Sequence, residues 1–366
     1  MYPYIIVFFL LLWSDYISKK YVNFICFFII FIFLGIRYEV GRDLLWFYPM
    51  AQEREIINFS LFDTLKNTDI SVWKGKYYIF RYLGFEFLDK VLFKIVWFIG
   101  EPQLITLIYS YLGLIFIKQG LSKIKKEYVK YSWIFFFCFS EFFLLYCNLI
   151  RQSVAISITF YSYKFVEKRE PIKFLICILL AVGFHTSAIF MLPLYLFNYI
   201  KKINKKFLIV IYILSFFGKE IVLEIMKLGW LPQKYIAYVS RFFPIGMKTY
   251  YLILVMGILL LIFLNQIDKE KRILVLIVFA GCCLNLLFKG TGYLMIRTRV
   301  YYLIFILYLI PDLLKITKKY FKTKYVYTFV CFLLLVLTLL NDKNGGEKRQ
   351  YTPYKTFLSR SDKETR

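Results

Sequence analysis

The sequence predicts an all-α polytopic integral membrane protein with about 12 transmembrane helices and one large external loop. Three observations carry this. First, 60% of the 366 residues are hydrophobic and only 19% are charged, where a soluble domain carries about 45–50% and about 25%. Second, the apolar residues come in blocks: residues 5–13, 24–36, 251–264 and 329–340 hold no charge. Third, the basic residues are segregated into short clusters between those blocks. Together they exclude a soluble enzyme, a disordered tail and a disulfide-stapled secreted domain.

The apolar runs fall at 2–16, 21–36, 101–117, 131–149, 152–166, 174–184, 186–199, 207–217, 249–267, 273–288, 300–314 and 325–340. The first lacks a basic leading segment and a small-residue cleavage site, so it reads as a span and not as a removed signal. Lysine clusters at 19–20, 118–130, 164–173, 201–206, 269–272 and 315–324 hold 23 Lys and Arg against Glu127, Glu167, Glu170 and Glu270, with Asp268 adjoining. The positive-inside rule makes them cytoplasmic. The loop 37–100 is balanced instead, with nine basic and eight acidic residues, and is assigned to the external side with the loop 218–248. Residues 341–366 form a polar tail, external by parity. The net charge of +25, which in a soluble protein would suggest nucleic acid, is here a topological signal, and no nucleic-acid partner is expected.

Two segments need individual treatment. Residues 85–98 resemble a span but contain Glu86, Asp89, Lys90 and Lys94, and Leu88, Val91, Leu92, Ile95 and Phe98 follow helical spacing. This predicts an amphipathic helix on the outer surface. Residues 174–199 have basic flanks on both sides, which predicts a tight hairpin with its tip near Gly183 to Thr186 and both flanks cytoplasmic. The seven cysteines sit in apolar runs without a CxxC pair and read as small buried hydrophobes. One histidine does not make a His-based metal centre.

The arginines break the pattern. The chain has 35 Lys and 13 Arg, yet the cytoplasmic clusters contain only Arg169 and Arg272. Arg37, Arg151, Arg297 and Arg299 are embedded in apolar sequence at the outer ends of spans, where topology disfavours them. Charge near hydrocarbon is costly and marks function by default, and the planar guanidinium fork matches phosphate oxygens. An outer cavity holding a phosphate-bearing ligand accounts for them; snorkelling to lipid headgroups or pairing with helix ends is the alternative. His185 is the one side chain whose ordinary pKa lies near neutrality. It reads either as a general base or as a polar residue packed between helices. Asp43 and Glu39 follow Arg37 closely and serve either in acid–base chemistry or in a network that folds the loop. The external aromatics Trp46, Phe47, Tyr48, Trp73, Tyr77, Tyr78 and Tyr82 can stack on sugar rings or sit in an interfacial belt.

Four ordered stretches, and a fifth near the end, carry a resemblance. They are Gly35-Ile36-Arg37-Tyr38-Glu39-Val40-Gly41-Arg42-Asp43, Ile150-Arg151-Gln152-Ser153-Val154-Ala155, Leu180-Ala181-Val182-Gly183-Phe184-His185-Thr186-Ser187-Ala188, Ile296-Arg297-Thr298-Arg299-Val300-Tyr301-Tyr302 and the terminal Tyr351-Thr352-Pro353-Tyr354. In this order they resemble the EpsG family of membrane proteins, which are similar to Wzy-type polymerases of bacterial surface polysaccharides. Arg42 stands where that family usually has a small residue, and Phe47 where it usually has Tyr.

The resemblance implies a glycosyltransferase in the bacterial inner membrane, with residues 1–340 as one GT-C-like catalytic bundle. Its reaction would join oligosaccharide repeat units of a capsule, O-antigen or exopolysaccharide, carried on polyprenyl diphosphate at the outer leaflet. A chain-length regulator and membrane lipid are the further partners it suggests. His185 is then the expected base, with Asp43 in reserve or orienting an arginine. Arg37, Arg42, Arg151, Arg297 and Arg299 are the expected diphosphate ligands, and Trp46, Tyr48, Gln152 and Tyr301 the expected sugar contacts. No dense acidic cluster suits Mg²⁺, so neither metal nor cofactor is expected. A flippase for the same lipid-linked sugars would show two similar halves, and no half-repeat is visible. A ligase, an O-acyltransferase and a non-catalytic scaffold are the remaining rivals.

Overall fold

The computed structural model describes residues 1–63, 77–200, 203–227, 247–289, 293–318, 322–343 and 351–359. Trp73 and most of the loop 218–248 lie outside the described residues, as do parts of the tail. The described chain is helical, with α1 (Tyr2–Ile17), α2 (Val22–Gly35), α3 (Leu44–Gln52), α4 (Tyr77–Leu83), α5 (Phe87–Ile99), α6 (Leu104–Leu121), α7 (Lys126–Cys138), α8 (Ser140–Asn148), α9 (Ile150–Glu167) and α10 (Pro171–Phe184). A 3-10 segment, Thr186–Tyr199, follows. Then come α11 (Lys205–Lys227), α12 (Met247–Phe263), α13 (Arg272–Leu287), α14 (Tyr293–Leu303), α15 (Ile306–Thr317) and α16 (Thr323–Lys343).

Every predicted apolar run is occupied by one of these elements, yet length separates them. A single crossing needs about 20 residues. Among the described residues three helices are long and apolar enough by themselves: Leu104–Leu121, Thr249–Gln266 and Thr323–Lys343. Two bent pairs raise the number to five if each is one span. In the first, α7 and α8 meet at 60°, because Phe139 adopts an extended conformation between them. In the second, Ile296–Leu303 and Ile306–Thr317 meet at 53°. There the helix is interrupted at Ile304 and Phe305, and Pro311 lies within the second arm. Tyr2–Ile17, Val22–Gly35 and Pro171–Phe184 are shorter apolar helices. Counting apolar runs therefore yields twelve, whereas continuous helix length yields three to five.

The outer surface is apolar in the manner of a protein solvated by lipid. Phe9, Trp13, Phe28, Leu179, Phe217 and Phe329 are all exposed, far beyond the patch size a soluble monomer tolerates. Helix α5 shows the same inversion. Asp89 and Lys90 are buried together with Phe93 and Val96, while Ile95, Phe98 and Ile99 are exposed, so charged groups face protein and part of its apolar surface faces out.

Two compact units make up the chain. The first comprises Met1–Tyr161, Ile176–Ile189 and Cys331–Arg366. Its core is aromatic: the Phe33 ring stacks on Tyr354 at 4.3 Å and meets Tyr4 edge-on at 5.0 Å. The segment 351–359 returns to the first loop. Tyr38 N–H donates to the Lys355 carbonyl (3.0 Å), Phe357 N–H to that of Ile36 (3.1 Å), and Lys355 pairs with Glu39 (2.9 Å). Tail and first loop thus share one side of the unit. The second unit comprises Ser162–Leu175 and Phe190–Val330. In it α13 packs against α11, α12 and α14. The rings of Phe174 and Tyr195 lie 5.4 Å apart, which requires the chain to double back between them. An apolar cavity of about 610 Å³ is lined by Pro193, Phe197, Phe207, Leu276, Phe279 and Tyr302, among others.

Gly41 is required by both backbone and space. Its φ is +95°, and an added Cβ would stand 2.1 Å from the carbonyl oxygen of Cys147. Gly100 has φ +81° with open space around it. Gly41→Ala is expected to destabilise the protein by at least about 2 kcal/mol, from backbone strain plus a clash that backbone atoms cannot relieve. Gly100→Ala should cost about 1 kcal/mol from the left-handed conformation alone. Thermal unfolding in detergent, followed by a thiol-reactive fluorophore that reports the buried cysteines, measures both.

Candidate active site

The first unit assembles a charged cluster around Arg151. Its backbone begins at α9, where the Asp43 carboxylate accepts the N–H of Ile150 (3.1 Å) and so satisfies an orphan donor at the helix start. Asn148, just before, accepts the N–H of Arg42 (2.8 Å) and donates to the Tyr351 hydroxyl. Loop one, the start of α9 and the tail are therefore tied together one residue from Arg151. Arg42 itself is exposed and Asp43 and Trp46 are half-buried. Tyr48 is buried, with its ring edge-on to Tyr38 at 5.2 Å.

Arg151 projects onto α5. One terminal nitrogen donates to a Glu86 carboxylate oxygen and reaches Asp89 at 3.4 Å. The guanidinium lies over the Phe85 ring, 4.0 Å from its centroid, a favourable cation–π arrangement. Asp89 is fully buried and accepts the Tyr109 hydroxyl from α6 (2.5 Å). Burial pushes the Asp89 carboxyl up to about 8, opposed by Arg151 and by the Tyr109 hydrogen bond. Lys90, next along α5, sends its ammonium to the Asp63 carbonyl (2.6 Å); burial pulls its pKa down.

The second oxygen of Glu86 accepts the backbone N–H of Thr186 (3.0 Å). This one carboxylate therefore joins Arg151 to the turn that carries His185. The turn is brought close because Gly183 has no side chain: a Cβ there would stand 2.7 Å from a Leu88 methyl of α5. His185 is buried, and its Nδ1 lies 2.7 Å from the Ser187 hydroxyl and 3.3 Å from the Ser187 backbone nitrogen. The hydroxyl bond holds the ring in one orientation.

The other candidates are distributed differently. Arg37 is 1% exposed, and its fork donates to the carbonyls of Leu34 (2.8 Å) and Tyr146 (3.0 Å). These are last-turn carbonyls of α2 and α8, where a cation is favoured by the helix dipole. Gln152 is buried in α9. Arg297, Arg299 and Tyr301 belong to the second unit. There Arg299 is fully buried and donates to the Asn285 side chain, Arg297 is half-buried and Tyr301 is fully buried.

Glu86, Asp89 and Tyr109 enter the cluster without having been singled out as site residues by the sequence. The available signal was two carboxylates three residues apart on an amphipathic helix, a spacing that places both on one face.

The EpsG family model matches residues 4–356. No curated protein and no solved structure matches the chain.

The Glu86–Arg151 pair sits where water is scarce, with side chains 15% and 19% exposed. Removing one partner leaves the other uncompensated, so Glu86→Gln and Arg151→Gln should each destabilise by about 3 kcal/mol. The double change should recover about 1–3 kcal/mol of their sum. Thermal unfolding of the four proteins in detergent measures this coupling.

Proposed function

Since the chain belongs to the EpsG family, whose members are Wzy-type polysaccharide polymerases, we propose that it transfers a growing glycan from polyprenyl diphosphate to the next lipid-linked repeat unit. The reaction is placed at the outer leaflet of a bacterial inner membrane, in a twelve-pass GT-C-like bundle whose first loop and tail face outward. One observation carries this reading: Glu86 links Arg151 to the turn that carries His185, so one carboxylate joins a guanidinium suited to phosphate and the segment that holds the proposed base.

In the proposed step, the acceptor hydroxyl attacks the anomeric carbon of the donor. The new glycosidic bond forms as the bond to the diphosphate oxygen breaks. His185 takes the hydroxyl proton through Nε2 in the tautomer whose Nδ1–H donates to the Ser187 hydroxyl. Arg151 and the exposed Arg42 receive the charge developing on the diphosphate, a task fixed guanidinium groups perform without a metal. Asp43 positions the start of α9 and Arg37 braces two helix ends, so both act on the frame. Arg297 and Arg299 are proposed as phosphate ligands of the second unit. Its apolar cavity suits part of an isoprenoid chain. Trp46 and Tyr48, with Gln152 and Tyr301, are the proposed sugar contacts.

His185→Ala and Arg151→Lys are expected to remove the polymer and leave single repeat units, with turnover reduced at least about 100-fold. Arg151→Lys keeps the charge and loses the fork. Glycan length distributions from a deletion strain complemented with each variant provide the measurement. A normal ladder from both variants overturns the site. Loss of single units as well replaces polymerisation with transport of the lipid-linked unit.

A further inference from the structure

Charge counting around Arg151 leads beyond this reading. Two carboxylates, Glu86 and Asp89, face one guanidinium in the buried cluster. The third charged neighbour on α5, Lys90, directs its ammonium to the Asp63 carbonyl. From α6 the only titratable group meeting Asp89 is the Tyr109 hydroxyl, a neutral donor. When Asp89 is ionised, the two carboxylates outweigh the guanidinium they face by one negative charge before an anionic ligand arrives. A diphosphate bound to Arg151 would draw the guanidinium toward its own oxygens and add at least two further negative charges. Like charges at this separation in a region of low dielectric cannot all remain ionised.

We propose that Asp89 is a positioning residue that couples diphosphate binding at Arg151 to the uptake of one proton. The proton comes from solvent and ends on the Asp89 carboxylate, so that one neutral acid and one ionised Glu86 remain beside the ligand. Asp89 is fully enclosed and touches neither sugar nor phosphate; it acts through the guanidinium it releases. Glu86 keeps its hold on the Thr186 N–H, so the His185 turn stays in place while Arg151 changes partners. The inference rests on the proposed role of Arg151 as a diphosphate ligand.

The sign of the pH dependence follows from linkage. The unliganded Asp89 carboxyl lies at about 8, and a neighbouring anion raises it further. Below that value the proton is already present and binding is independent of this group. Above it, each pH unit costs binding about tenfold until the liganded value is passed.

The test uses the full chain in lipid nanodiscs, titrated with farnesyl diphosphate between pH 7 and 9.5. The wild-type protein should bind with a constant dissociation constant up to about pH 8 and then weaken about tenfold per unit. Calorimetry in buffers of different ionisation enthalpy should approach one proton taken up per ligand near pH 9. Asp89→Asn preserves an acceptor for the Tyr109 hydroxyl and should bind with the low-pH affinity throughout the window. A wild-type protein that binds with no pH dependence above 8 overturns the inference and leaves the diphosphate reading standing. An unchanged slope in a monodisperse Asp89→Asn protein does the same. Absence of binding by wild type at every pH overturns the diphosphate reading and the coupling with it.

Discussion

The charged contact between Arg151 and Glu86 is the constraint on which the rest of the first unit's arrangement depends. An arginine beside hydrocarbon is tolerable only when its donors are satisfied. Here the start of α5 supplies the partners, and in doing so it turns Asp89 inward beside Phe93 and Val96 and leaves Ile95, Phe98 and Ile99 exposed. That orientation seats Leu88 against the α10 turn, where a side chain at position 183 would have to displace the Leu88 methyl. It also leaves the free Glu86 oxygen in position to accept the Thr186 N–H. One ion pair therefore orients a surface helix, fixes the approach of a hairpin tip and sets the place of the histidine.

A second buried arginine uses the same chemistry for a different end. Arg37 joins the last turns of α2 and α8 through their carbonyls, while Gln103 satisfies the carbonyls of Gly35 and Arg37 (both 3.1 Å). Helix ends that would otherwise carry orphaned acceptors into an apolar setting are closed by side chains. The tail adds to this frame. The Asp342 carboxylate accepts the N–H groups of Tyr351 (3.1 Å) and Thr352 (2.8 Å), and Tyr354 stacks on Phe33. Arg37 and Arg151 look alike in sequence, each at the outer end of an apolar run, yet one is enclosed by backbone and the other meets carboxylates.

Much of the fold was legible because its signal is local. Charge-free runs mark helices, and a helix is stabilised by bonds within a few residues of itself. Breaks were less legible: the bend after Cys138 depends on the conformation adopted by Phe139, a residue that also serves well inside a helix. The site was legible only in part. Arg151 and His185 stood out because topology does not account for an arginine there and because the chain has one histidine. Glu86 and Asp89 read as charges that keep residues 85–98 out of the membrane, and their partner lies 65 and 62 positions away. No spacing rule reaches that far.

The sequence by itself determined that this is a helical membrane protein of the EpsG family, and it concentrated the arginines away from the lysine clusters. Those properties follow from transfer free energies summed over single segments, which need no knowledge of neighbours. The tertiary structure alone decided which arginine is a brace and which faces a pair of carboxylates. It also placed Thr186 on Glu86, 100 residues away in the chain, and returned the tail to the first loop. Such pairings depend on which groups are brought together after water has been excluded, and a buried charge takes its partner from whatever helix the packing presents.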